Sequence, residues 1–167
     1  MRPGKNLYTN SVLAIDIDTG HMVVYNQIVK HDFHDRDVDS PPALVTTRSG
    51  RRLVASANKD GVLTVLDRDH NLRVVYEQPT TTRLNVTTPL SRTRDVRFCP
   101  GIVGGSEWNG ASFDPALNTI FVGAVDWCSS VRIQAADATV RLRERNGSAP
   151  KRLWRGFSIQ WNRRVAG

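Results

Sequence analysis

The stretch LAIDIDTGHMVVYNQ at residues 13–27 recurs as TVLDRDHNLRVVYEQ at residues 64–78, an offset of 51 residues from one copy to the next. Each copy is an apolar run, a polar turn and a second apolar run, which is the pattern of a β-hairpin. An aspartate at the turn accepts hydrogen bonds from nearby backbone amides. Gly20 supplies the positive φ of the reversal, and Asn71, which tolerates that conformation, takes its place in the second copy. The repeat therefore predicts two equivalent hairpins.

Further short strands are expected between and beyond the two hairpins. The candidate stretches are residues 43–47, 53–57, 62–66 and 119–124, with NKDG (58–61) as a turn. Short strands that repeat about every 50 residues are typical of four-stranded propeller blades. Two hairpins of a β-sandwich are the alternative. We therefore predict an all-β chain of about two to three antiparallel blades, which is an arc and not a closed ring.

The composition favours a soluble globular protein. The chain has 167 residues, of which 40% are hydrophobic, and a mean hydropathy of −0.36. No apolar run reaches the roughly 18–20 residues that a membrane span needs. Residues 1–10 lack the apolar stretch of a signal peptide. We expect neither a membrane span nor a signal peptide in this chain.

The positive charge is confined to the C-terminal part of the chain. The net charge is +7, yet residues 1–128 carry 14 Lys+Arg and 14 Asp+Glu, whereas residues 129–167 carry 9 and 2. The segment 129–167 lacks the basic–aromatic interleaving of a nucleic-acid-binding module. We predict a basic tail, either foreign to the fold or disordered, and no nucleic-acid partner. A nucleic-acid-binding tail is the alternative, and its binding would depend steeply on salt.

Two further features leave more than one interpretation open. Cys99 and Cys128 are the only cysteines in the sequence. They can be a reduced buried pair or a disulfide that closes a loop of about 30 residues. Residues 31–39, HDFHDRDVD, hold two histidines and four aspartates. This segment can be a metal site, a catalytic carboxylate with its neighbours, or a solvated acidic loop.

Four motifs occur together in this order: RPGKNLYTNSVLAIDIDTG (2–20), HDFHDRDVDSPP (31–42), ANKDGVLTVLDR (57–68), and CPGIVGGSEWNGASFDP followed by VGAVDWC (99–128). Over residues 2–128 the chain resembles the pyrroloquinoline-quinone (PQQ)-dependent dehydrogenases, the quinoprotein alcohol and glucose dehydrogenases. The resemblance implies an eight-bladed β-propeller with the quinone on its axis, of which this chain supplies about blades four to six. Val24 and Val75 stand where the family commonly has tryptophan.

The resemblance also implies a reaction, in which a hydride passes from an alcohol or a sugar to the quinone. Asp35 falls on the catalytic aspartate, which serves as the general base and can bind the neighbouring Ca²⁺. Asp37 is a second metal ligand if the segment is extended, because residues i and i+2 then share one face. Members that use lanthanide ions carry an aspartate there, as do sugar-oxidising relatives. Asp32 and Asp39 are expected to be solvated, and His31 to bond to nearby backbone.

The same resemblance assigns three cofactor contacts. Lys59 falls on the basic residue that contacts the quinone oxygens, where an ammonium stabilises developing negative charge. Trp108 and Asn109 fall in the segment that approaches the cofactor. An exposed turn lysine and a core tryptophan are the alternatives for Lys59 and Trp108. Glu107 stands where the family more often has asparagine, and His34 where it usually has an aromatic residue.

For the whole enzyme, the resemblance implies a structural disulfide between Cys99 and Cys128, a periplasmic location, and an electron acceptor such as a cytochrome c or a quinone. The family's other metal ligands come from earlier blades, so we expect this chain alone to be an inactive fragment. A non-catalytic propeller-like scaffold for protein interactions is the alternative function. The predicted division is a propeller segment at 1–128 and the tail at 129–167.

Overall fold

The structure, a computed structural model, describes residues 4–133 and the backbone of residues 154–160. Within those residues every regular element is a β-strand. The strands are β1 (Ser11–Ile15), β2 (Met22–Gln27), β3 (Ala43–Thr46), β4 (Arg52–Ala57), β5 (Val62–Asp67), β6 (Arg73–Pro79), β7 (Val96–Phe98), β8 (Ala111–Asp114), β9 (Thr119–Val125), β10 (Ser129–Val131) and β11 (Trp154–Gln160). No helix of the described ranges is long and apolar enough to cross a membrane.

The middle sheet is a complete four-stranded antiparallel unit in the order β3-β4-β5-β6. All six residues of β5 are buried, polar positions included. A strand buried on both faces reads as a nearly continuous apolar run, and VLTVLD does so. The main core joins this sheet to β9 and consists of Val45, Leu53, Ala55, Ala57, Leu63, Val65, Ile120 and Val122. The middle sheet is therefore packed between neighbours, as a propeller blade is.

The predicted repeat corresponds to two hairpins, β1–β2 and β5–β6. Corresponding strands of the two hairpins start 51 residues apart, as predicted. The strand β1 starts at residue 11 and β5 at 62, and β2 starts at residue 22 and β6 at 73. Both hairpins shift register at the equivalent place, between Ala14 and Ile15 and between Val65 and Leu66. The hairpin β1–β2 forms a two-stranded sheet of its own, whereas β5–β6 is the outer half of the middle sheet.

The turns of both hairpins follow the predicted chemistry. Asp16 Oδ1 accepts the amides of Asp18 and Thr19, at 3.2 and 2.8 Å. In the second copy, Asp67 Oδ1 accepts the amide of Asp69 at 3.0 Å. Gly20 has a φ of 71°, and its counterpart Asn71 has a φ of 53°. Glycine and asparagine thus provide the same chain reversal in the two hairpins, because both adopt the left-handed conformation readily.

A third unit begins with β8 and β9. The strand β8 lies against β3, and β9 is central in the order β11-β9-β8, while β10 pairs with β7. Both β10 and β11 fall in the segment 129–167, so this segment contains two strands that pair with the fold. Residues 134–153 and 161–167 lie outside the described residues, and the division after residue 128 stays a prediction.

The disulfide is present. Cys99 and Cys128 are bonded, with an S–S distance of 2.03 Å, and are 29 positions apart in sequence. Cys99 follows β7 and Cys128 precedes β10, so the bond lies at the end of an antiparallel strand pair. The interpretation of a reduced buried pair is therefore wrong. The closed loop contains the segment 101–110, which contacts the turn between β4 and β5.

Candidate active site

Lys59 lies in the tight turn between β4 and β5, and its side chain is only 7% exposed. Gly61 closes the turn with a φ of 72°, and its amide bonds to the carbonyl of Asn58 at 3.0 Å. The Lys59 carbonyl accepts the amide of Gly105 at 3.1 Å. The alternative of an exposed turn lysine is therefore wrong.

The ammonium of Lys59 brings both predicted acidic residues together. Its Nζ is 2.9 Å from Asp35 Oδ2, 3.0 Å from Asp37 Oδ2 and 4.0 Å from Glu107 Oε1. Burial by itself lowers the pKa of Lys59, but hydrogen bonds and charges from Asp35 and Asp37 outweigh it, and the pKa is raised. Lys59 is therefore a charged, partly desolvated cation at neutral pH, surrounded by three carboxylates.

Asp35 has a left-handed backbone, with a φ of 63°. This conformation is uncommon for a residue with a Cβ, and at functional sites it persists only where the surroundings hold it. The carboxylate of Asp32 accepts the amides on both sides: His34 N at 3.0 Å and Arg36 N at 2.8 Å. The expectation that Asp32 is a solvated acid is wrong, because both of its oxygens bond to the loop.

His34 is buried and packs against an aromatic neighbour. Its ring stacks on Phe98 with a centroid separation of 4.0 Å and an interplanar angle of 1°. Its Nε2 donates to the Thr88 carbonyl at 2.9 Å. Burial, followed by the charge of Arg36, lowers the pKa of His34, so the ring is neutral at pH 7. His31 Nδ1 lies 2.7 Å from the Gly4 carbonyl, which confirms the expected backbone bond.

Three charged side chains, those of Asp39, Arg36 and Asp60, are buried or half-buried, which the sequence did not predict. Asp39 Oδ1 is buried and has no hydrogen-bond partner among the described residues, and burial raises the pKa of this carboxyl. It is not the solvated acid that was expected. Arg36 is 4% exposed, and burial, then the charge of Arg83, lowers its pKa. Burial also raises the pKa of Asp60 to about 6. Alternating charge in HDRDVD gave no sign of this burial.

The loop with Trp108 and Asn109 follows Gly105. Trp108 is 77% exposed, so the alternative of a core tryptophan is wrong. Asn109 Nδ2 donates to the Gly123 carbonyl at 3.0 Å, and its Oδ1 accepts the Glu107 amide at 3.3 Å. The amide thus attaches the loop to β9 through Nδ2 and braces the loop itself through Oδ1. The indole is free to contact a ligand, whereas the predicted Asn109 contact would compete with these bonds.

The acidic residues do not form a metal site by themselves. Within residues 4–133, no group of three or more His, Cys, Asp or Glu side chains is arranged to hold a metal ion. Asp35 and Asp37 each direct Oδ2 at Lys59. The side chains fit a quinone better than they fit a metal ion. The ammonium of Lys59 can bind the quinone oxygens, and the exposed indole of Trp108 can stack on the flat quinone ring.

The first 82 residues match a family model described as "PQQ: Glucose/ethanol/alcohol dehydrogenase, beta-propeller domain". Among curated proteins, the chain is 25% identical to the quinoprotein glucose dehydrogenase of Escherichia coli (strain K12), covering 98% of this chain and 22% of that protein. It is 28% identical to the lupanine 17-hydroxylase [cytochrome c] of a Pseudomonas species, covering 71% and 20%.

Solved structures agree on the fold. A europium-containing methanol dehydrogenase superposes with a TM-score of 0.65 at 20% identity, over 74% of this chain and 24% of that one. The quinohemoprotein alcohol dehydrogenase from Comamonas testosteroni gives 0.63 at 23% identity, over 75% and 21%. The chain thus spans about a fifth to a quarter of the length of these relatives.

Fold and site together define part of a β-propeller, confirming the predicted all-β partial propeller. Residues 1–82 match the model of the PQQ dehydrogenase propeller domain, and the resemblance seen in the sequence is confirmed.

Proposed function

We propose that this chain is a segment of a PQQ-dependent dehydrogenase that oxidises an alcohol or a sugar. The observation that carries the proposal is the contact of 2.9 Å between Lys59 Nζ and Asp35 Oδ2. It joins the residue assigned as the base to the residue assigned to the quinone oxygens. The quinone, when bound, supplies the hydride acceptor.

Asp35 and Lys59 have complementary parts in this proposal. The Asp35 side chain is 60% exposed, so a substrate hydroxyl can approach its carboxylate and give up a proton there. The ammonium of Lys59 pairs with the Asp35 carboxylate and offers a positive charge where negative charge develops. Trp108 offers an exposed ring at the same loop, and we assign it and Asn109 to the cofactor side of the site.

For the whole protein, we propose Ca²⁺ or a lanthanide ion near Asp35 and Asp37, with the remaining ligands supplied from outside this chain. Periplasmic location is supported by the disulfide, because such bonds persist in oxidising compartments. A cytochrome c as electron acceptor is supported by the name of the lupanine 17-hydroxylase. We propose that this chain alone is inactive.

Quinone titration of the purified chain tests the proposal. We expect PQQ to quench tryptophan fluorescence saturably, and Lys59→Ala to abolish this while the exposed Lys30→Ala leaves it unchanged. With Ca²⁺, an alcohol and an artificial acceptor, the chain should show no alcohol-dependent turnover. Binding that is absent, or insensitive to Lys59→Ala, contradicts the proposed quinone site and favours the scaffold function. Turnover by this chain contradicts its inactivity.

A further inference from the structure

The loop that carries Asp35 is organised by a neighbour that takes no part in the proposed chemistry. We propose that Asp32 is a positioning residue for Asp35, fixing the backbone conformation that aims the Asp35 carboxylate at Lys59. The role in catalysis rests on the proposed function, whereas the positioning itself does not.

Both oxygens of Asp32 are used, one on each side of Asp35. Oδ1 accepts the amide of His34 at 3.0 Å, and Oδ2 accepts the amide of Arg36 at 2.8 Å. Hydrogen bonds to a carboxylate are stronger than those between neutral groups. Together they hold the peptide group that follows Asp35, through the Arg36 amide, and the peptide group that precedes His34, so the chain is fixed on either side of Asp35, which has a φ of 63°. An L-residue with a side chain rarely adopts this conformation unless its neighbours are fixed.

The reversal at Asp35 sends adjacent side chains in opposite directions. Arg36 is buried, at 4% exposure, whereas Asp35 is exposed and reaches Lys59 Nζ. On the other side, His34 is anchored by its stack on Phe98 and its bond to the Thr88 carbonyl. If the backbone relaxed to negative φ, His34 and Arg36 could not both keep their buried places while Asp35 kept its contact with Lys59.

The comparison that tests this uses Asp32→Ala, which removes both acceptors, and Asp32→Asn, which keeps one. Asp16→Ala is the matched control, because Asp16 also accepts two turn amides but lies in the first hairpin, away from Lys59. Three NMR signals of the whole chain, without quinone, report the result. They are the amide–Hα NOE within Asp35, which is strong only at positive φ, the amide exchange of His34 and Arg36, and the NOE between the Lys59 ε-methylene and the Asp35 β-protons.

In Asp32→Ala we expect the Asp35 NOE to weaken, the Lys59–Asp35 NOE to disappear, and exchange at both amides to accelerate about tenfold. Asp32→Asn should accelerate one of the two amides and leave the other near its wild-type rate. Asp16→Ala should change none of these signals. A general loss of stability would instead accelerate exchange throughout the chain and leave the Asp35 NOE strong.

The proposal is overturned if folded Asp32→Ala keeps all three wild-type signals. If that variant does not fold, wild-type exchange at both amides in Asp32→Asn overturns it. Titration of the wild-type chain with PQQ is a separate experiment. A chain that binds no quinone contradicts the proposed function, while the NMR signals still decide whether Asp32 fixes Asp35.

Discussion

Lys59 and Asp60 are neighbours in one turn and are both buried, but only Lys59 has close partners of opposite charge. Lys59 is buried with two carboxylates within 3.0 Å. Asp60 is buried with a hydrogen bond from the Val62 amide at 3.1 Å, and the Arg83 guanidinium is 3.9 Å away. Burial, which is the largest effect, raises the pKa of Asp60 to about 6 in spite of these contacts. The turn therefore places the desolvated carboxylate of Asp60 next to the well-paired ammonium of Lys59.

The raised pKa of Asp60 predicts that stability increases on mild acidification. Between its ordinary value of 3.8 and about 6, the folded state binds the proton more tightly than the unfolded state. The penalty for the buried charge is thus fully present above pH 6 and disappears as the pH falls towards 4. A shift of this size corresponds to about 3 kcal/mol. Denaturant unfolding at pH 7, 6, 5 and 4 measures it.

Asp60→Asn is the control for this pH dependence, since the amide keeps the acceptor for Val62 and cannot ionise. We expect its unfolding free energy to change less than that of the wild type between pH 7 and 5. Parallel curves for the two proteins would assign the pH dependence to other groups. Arg36→Met checks the neighbour, because it removes a buried cation that favours ionised Asp60 and should move the transition to higher pH.

At the residue scale, the sequence assigned Lys59, Asp35 and Asp37 to one site but predicted neither their ion pairs nor which charged groups are buried. Lys59, Asp35 and Asp37 were assigned through the family motifs, and the structure brings the three together. Their roles stay predictions. The burial of Asp39 and Arg36 was missed, because alternating charges look the same in a solvated loop and in one folded against a sheet. Only the tertiary contacts distinguish the two.

At the element scale, hairpins were predictable because their information is local. The turn aspartate, the residue with positive φ and the two apolar runs lie within 15 residues of one another in each copy. The pairs β7–β10 and β9–β11 join strands that are distant in sequence, and short or arginine-rich stretches carry little periodicity. Such pairing depends on which edges the folded sheets leave available.

Gly104 offers a test of how the loop fits the turn. It has a φ of 81°, and an added Cβ would lie 2.4 Å from Lys59 Cβ and 2.5 Å from its Cα. Gly20 has a similar φ of 71° but open space around it. We expect Gly20→Ala to cost about 1–2 kcal/mol of stability from backbone strain. Gly104→Ala should cost about 1–3 kcal/mol more, because the new methyl group also displaces Lys59.

Thermal or denaturant unfolding of both variants measures this difference, and the PQQ titration adds a second signal. Gly104→Ala should weaken Lys59-dependent quinone binding, whereas Gly20→Ala should not. Equal losses of stability in the two variants would mean that strain alone matters and that the loop tolerates a side chain against Lys59.

At the scale of the whole molecule, burial differs between the units. The strands β4 and β5 of the middle sheet are almost wholly buried, because other sheets cover them. The hairpin β1–β2 lacks that cover, and Ile15, Ile17 and Val23 are 58%, 95% and 69% exposed. A blade obtains much of its apolar burial from its neighbours, so the stability of this chain depends on every link that keeps the units together.

The disulfide is one such link, and its removal predicts a defined loss. Closing a loop of 29 residues restricts the unfolded chain, which corresponds to a stabilisation of about 3–4 kcal/mol. We expect reductant to lower the denaturation midpoint accordingly and to weaken quinone binding, because the loop carries Gly104 and Glu107 to Lys59. The double variant Cys99→Ser, Cys128→Ser should have the lower denaturation midpoint without reductant, and adding reductant should not change it. A wild-type midpoint that reductant leaves unchanged would show that the β7–β10 pairing and the core hold the third unit without the bond.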